Sequence, residues 1–157
     1  MLRPILRSAR AACRLSRGLA DDRRGVSLLE FAIGAPVLLL IGLGMIKFGV
    51  AMGNYVVLTN AASQGATALA LSRGTTSPYT ATTTAVTNAA PSLVAGSITT
   101  TVKVNGTTCT TNSGCSALLT AGATAQVSLT YPCDLAVMGV NYKANCTLSA
   151  QSAQMVQ

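Results

Sequence analysis

Between Phe31 and Ser72 the chain carries one charge, that of Lys47. If helical from about Ser27 to Ser72, such a stretch is on the order of 70 Å long at 1.5 Å per residue, more than a bilayer core needs. Its first part, FAIGAPVLLLIGLGMI from Phe31 to Ile46, is a little short of the roughly 20 residues of a perpendicular span. The aliphatic stem of Lys47 lets its ammonium reach toward an interface. The pattern predicts one membrane-spanning helix whose second half stands outside the bilayer. Only 10% of the 157 residues are charged and 50% are apolar, a balance too poor in charge for a free cytosolic globule.

The formal net charge of +7 invites a nucleic-acid reading until its position is considered. Residues 1–25 hold seven arginines against Asp21 and Asp22, whereas the rest has Lys47, Arg73, Lys103 and Lys143 against Glu30 and Asp134. That remainder has no basic stripe and no aromatic interleaving of the kind single-strand binders use. A basic segment just before an apolar run is the cytoplasmic flank of a membrane helix by the positive-inside rule. The expectation is therefore no nucleic acid, an N-terminus in the cytoplasm, and a C-terminal part outside it.

A secretory signal has a short apolar core followed closely by a small-x-small cleavage site. The nearest clear match here, Ala68-Leu69-Ala70, lies more than twenty residues beyond the apolar core, which argues against secretory cleavage. The residues ahead of the core point to another leader. The run R-R-G-V-S-L-L-E-F from Arg23 to Phe31 resembles a class III, type IV-like prepilin processing site, where a prepilin peptidase cuts after glycine. The resemblance makes Gly25 the last leader residue, Val26 the new N-terminus and Glu30 the fifth-position acid, followed by the aromatic Phe31. An ionisable side chain at the edge of an apolar helix is costly without a partner. In a filament the partner implied for Glu30 is the α-amine of a neighbouring subunit's Val26; alone, Glu30 is an acid in a first helical turn, favourable to the helix dipole.

Further along, Pro36, VLLLIGLGMIKFG and LTNAASQGATALAL resemble the TadE-like family of Tad (Flp) pilus-assembly proteins, pseudopilins or minor pilins. The resemblance is firm over residues 23–71 and loose after 125, where Val127 to Tyr131 and the closing LSAQSAQM share it. Lys47 stands where that family commonly has glutamate, and Ser63 and Thr67 stand where it commonly has arginines, so family ion pairs are not carried over. The implied partners are prepilin peptidase, other pilin-like subunits and the Tad assembly machinery. Ala35, Gly42 and Gly49 recur every seven residues, and Gly49 with Gly53 adds a small-xxx-small step. That face lets another helix approach closely, although glycine is common in membrane helices.

The expected organisation is a basic leader over 1–25, the spanning helix over 26–73, a Thr/Ala-rich linker or short helix over 74–97, and an exported β domain over 98–157. Arg73-Gly74 ends the long helix. Ser77-Pro78 opens the short one, if it forms, with Pro91 closing it. From Ile98 the texture turns to strands, ITTTVKVNG, AQVSLTYPC and YKANCTLSAQSAQM, bounded by Asn-Gly, Ser-Gly and Pro. Three or four short antiparallel strands resting on the long helix make an α+β, pilin-like fold. Besides Cys13 in the leader there are Cys109, Cys115, Cys133 and Cys146, an even number outside the cytoplasm. Of the three pairings they allow, proximity selects Cys109–Cys115 and Cys133–Cys146.

The chain has no histidine, and beyond residue 25 only Glu30 and Asp134 are acidic, so neither a carboxylate pair, a triad nor a hard-metal cluster is expected. No phosphate-loop motif is present either. The sequence thus predicts no catalysis, no cofactor and no metal. Two other classes stay open. One is an uncleaved, single-pass membrane-anchored adhesin or binding module. The other is a major pilin, which the short mature length of the family's major pilins argues against.

Overall fold

The computed structural model describes residues 23–137 and 139–157, with the side chains of residues 23–26 left aside. Most of the expected leader, with Cys13 and the arginines ahead of Arg23, lies outside these residues. The chain divides into two compact units, Met1–Gly42 and Leu43–Gln157. Of the first, the described part is the N-terminal stretch of one helix.

Helix α1 runs from Arg23 to Leu71 and contains Pro36. Its closing turns bury Leu58, Ala61, Ala62, Ala66, Leu69 and Ala70. The spacing is three and four throughout, the period that puts residues on one helical face. Those small side chains pack against a four-stranded antiparallel sheet, giving the α+β arrangement expected. Gly65 lies on the same face; a Cβ built there would stand 2.6 Å from Val86 Cγ2 and 3.4 Å from Val127 Cγ1. Glycine is what permits this close approach of helix and core. Beyond Leu71 the chain turns through Gly74, whose φ of 78° is a left-handed conformation that suits the glycine expected after the helix.

Helix α2, Pro78–Ala89, resolves the linker-or-helix alternative in favour of the helix. Its threonines fit because their hydroxyls bond backward: Thr82 Oγ1 donates to Pro78 O at 2.8 Å and Thr87 Oγ1 to Thr83 O at 2.9 Å. Thr82 is fully buried, so that bond spares it an unpaired hydroxyl. Ser77 precedes the helix but makes no side-chain capping bond; Pro78, with φ preset for a first helical position, opens it instead.

A short 3-10 turn, Ala95–Ser97, leads into the sheet. Strand β1 is Thr99–Val104, β2 is Thr107–Cys109, and helix α3, Asn112–Leu118, follows. Then come β3, Thr124–Pro132, the small hairpin of β4, Ala136–Val137, and β5, Val140–Asn141, and finally β6, Thr147–Met155. The sheet order is β2-β1-β3-β6. Val102 pairs with Val127, and Leu129 with Ala150, so the buried residues share one face. Asn105 and Gly106 both have positive φ, 49° and 80°, the combination a two-residue type I′ hairpin needs between β1 and β2.

Candidate assembly and anchoring site

In the helix before its packed turns, large apolar side chains face outward on every side. Phe31, Leu38, Met45 and Phe48 are each more than 60% exposed, and among the described residues from Phe31 to Met45 none is buried. Ser27–Leu71 is long and apolar enough to cross a membrane. Gly25 and Val26 lie inside α1. Glu30 is exposed next to Phe31, and among the described residues no cation is paired with it. Gly42, Gly49 and Gly53 have open space where a Cβ would project. These residues therefore share one uncovered helix and are not gathered into a pocket.

The cysteines behave differently. Cys109 bonds Cys115, tying the end of β2 to α3 with Cα atoms 5.2 Å apart; both are buried. Cys133 bonds Cys146 across the end of the β3–β6 ladder, with Cα atoms 5.1 Å apart. The Cys133 N–H also donates to Cys146 O at 3.0 Å, continuing the ladder past Pro132. Both pairings agree with those chosen by proximity. The second disulfide closes a loop over the β4–β5 hairpin.

One contact was not foreseen. Lys47 Nζ donates to Asp134 Oδ2 at 2.8 Å, joining residues 87 apart in sequence. The hydrogen bond from Lys47 holds the Asp134 carboxyl below its ordinary value, aided by the Ala136 N–H, which donates to Asp134 Oδ1 at 3.0 Å, and by the lysine's charge. Both side chains stay substantially exposed, 42% and 66%, so the pair is a modest, salt-sensitive tether. Composition held a signal for it. Lys47 is the lone cation in an apolar run, and Asp134 is the sole acid after Glu30. By sequence alone Lys47 belongs at the membrane interface and Asp134 has no role.

A family model for TadE-like protein matches from Gly25, the glycine of the processing-like motif, through Thr67. Residues 25–67 are TadE-like. The TadE-like segment holds Glu30, Phe31, Lys47, Gly42, Gly49 and Gly53, and it ends among the turns that pack on the sheet. The matched family is a pilus-associated structural one. The disulfide-tied sheet lies beyond it. No curated protein and no solved structure matches the chain.

Proposed function

We propose that this protein is a TadE-like pseudopilin or minor pilin that enters Tad pilus assembly after prepilin peptidase cleaves between Gly25 and Val26. The observation that carries the reading is the TadE-like match, which opens at Gly25 and covers the exposed apolar helix. In this reading α1 crosses the bacterial inner membrane with its arginine-rich end in the cytoplasm. The sheet domain faces the periplasm or the cell exterior, where its two disulfides persist.

The helix is then the part that associates. Its outward aliphatic side chains are solvated by lipid before assembly and covered by neighbouring subunits afterwards. Association within lipid gains little from burying more apolar surface and depends on close packing, which favours small residues such as Gly42, Gly49 and Gly53. Glu30 meets the new α-amine of a neighbour's Val26, a pair that matters most where water is scarce and where removing either member strands the other.

The test is the N-terminus of the membrane protein, read by mass spectrometry in cells with and without the peptidase. A start at Val26 that depends on the peptidase is expected; a start at Met1 in both strains overturns the reading in favour of an uncleaved anchored adhesin. In the same strains Glu30→Ala is expected to insert and be cleaved yet be lost from sheared filaments. Normal incorporation of that variant would remove the charge pairing.

A further inference from the structure

The β4–β5 hairpin leaves the sheet at a particular end. Near the middle of β3, Val127 lies against Gly65 of α1. Four to seven residues further on, Tyr131, Pro132 and Asp134 share a groove with Ile46, Lys47 and Val50. The two paths agree in length. Val127 to Asp134 is about 23 Å of strand at 3.3 Å per residue, and Gly65 to Lys47 is about 27 Å of helix at 1.5 Å per residue. Strand β3 therefore runs antiparallel to α1, and the chain beyond Pro132 is carried toward the turn that holds Lys47. Leu135 and Leu148 line an apolar groove there with Phe48, Met52 and Tyr55.

The segment that leads into the hairpin thus sits beside the residue that ends the uncharged run Phe31–Ile46. The hairpin's own chemistry suits that level. Val140 is 59% and Tyr142 61% exposed, and Phe48, Val50 and Met52 on α1 are exposed as well. Lys143, also exposed, follows Tyr142. An aromatic ring with a polar tip beside a long cationic side chain is the usual composition of a membrane–water interface. Nothing acidic opposes it. Asp134 is the one acid in residues 31–157, and Lys47 neutralises it. The pairing also lets the apolar span continue past Lys47 to the roughly 20 residues that a bilayer asks for.

We propose that the β4–β5 hairpin is a lipid-contacting element that lays Val140 and Tyr142 into the headgroup layer of the membrane α1 crosses, with Lys143 toward the phosphates. The proposal rests on the reading that α1 spans the bilayer. It gives the exported domain a second membrane contact, so that domain and helix leave the bilayer together when a subunit is extracted into a filament. The Lys47–Asp134 bond and the Cys133–Cys146 disulfide are positioning elements that hold the hairpin at this height.

The chain has no tryptophan, so one introduced indole reports alone. The full chain is reconstituted into phosphatidylethanolamine–phosphatidylglycerol vesicles containing lipids spin-labelled near the headgroup. Tyr142→Trp, Leu39→Trp in the apolar run and Thr101→Trp on the outer face of the sheet are compared. Emission from position 142 is expected to be blue-shifted and quenched several-fold more strongly than that from position 101. Lipid quenching at 39 without quenching at 142 overturns the hairpin proposal while leaving the span intact. Absence of lipid quenching at 39, with labels near the headgroup or deep in the acyl region, overturns the span and the proposal with it. Equal quenching at 101 and 142 overturns it too, because the domain would then contact lipid without using the hairpin.

Discussion

Two stretches of α1 are equally free of charge yet solve the problem of apolar surface in opposite ways. From Phe31 to Val56, leaving Lys47 aside, the side chains are mainly large or apolar, none is buried and most are exposed. From Leu58 to Ala70 the buried positions recur at threes and fours and are mostly alanine. A helix apolar on every side asks for an apolar solvent, whereas one with a narrow stripe of small residues asks for a protein surface at close range. Absence of charge alone does not separate the two stretches. Side-chain size and periodicity do.

The largest effect that separates them is a truncation made once in each. Leu69 is fully buried, and Leu69→Ala is expected to lower the unfolding free energy of the sheet domain by about 2–5 kcal/mol, the transfer and cavity terms combined. Leu39 is 62% exposed, and Leu39→Ala is expected to leave that free energy within about 0.5 kcal/mol of the parent. Denaturant unfolding of both variants in one detergent gives the comparison. Equal losses would mean that the two stretches do not differ as their exposure implies.

Glycines sharpen the same contrast at smaller magnitude. A methyl at position 65 meets Val86 Cγ2, a β-branched neighbour with little rotamer freedom, so Gly65→Ala is expected to destabilise by about 1–3 kcal/mol. At position 49 the added methyl meets nothing, and Gly49→Ala is expected to stabilise the helix by up to about 1 kcal/mol. The two changes should move the unfolding midpoint in opposite directions. If Gly49→Ala also reduces recovery in sheared filaments, its cost falls on assembly, since the isolated subunit has gained stability.

Which parts of this molecule were legible in the sequence follows from the range of the forces involved. The apolar run, the strands around Val102, Val127 and Ala150 and the turn at Asn105-Gly106 are all set by local periodicity or turn chemistry, whereas the helix at Pro78 stays an alternative to a linker in the sequence because threonines are indifferent helix formers. The cysteines were legible because partners close in sequence are favoured partners. Helix α3 was not, because Asn112-Ser113-Gly114 reads as a loop. It forms because Thr111 Oγ1 accepts from the Gly114 N–H at 3.1 Å and Cys115 is tied to Cys109. The segment from Tyr142 to Asn145, expected to open a strand, is instead bend and turn, and β6 begins at Thr147. The tight fit at Gly65 and the ion pair between Lys47 and Asp134 depend on elements far apart in the chain, which no window of sequence contains.

That ion pair joins the start of the packed unit to the loop beyond β3, and it yields the smallest effect. The Asp134 carboxyl is held below its ordinary value by the hydrogen bond from Lys47. A carboxyl whose pKa is lower folded than unfolded adds stability that is complete above its unfolded value, shrinks as pH falls and is gone beneath its folded value. Wild type and Asp134→Asn are therefore expected to differ slightly in unfolding midpoint at neutral pH and to converge in acid below the ordinary carboxylate range. The asparagine keeps an oxygen for the Ala136 N–H and so isolates the charge. High salt should shrink the neutral-pH difference, since both partners are exposed. A gap that persists in acid and in salt would show that Asp134 acts through loop geometry, and the loop, its ends fixed by the Cys133–Cys146 disulfide, would then rest on the start of the packed unit by apolar contact without electrostatic help.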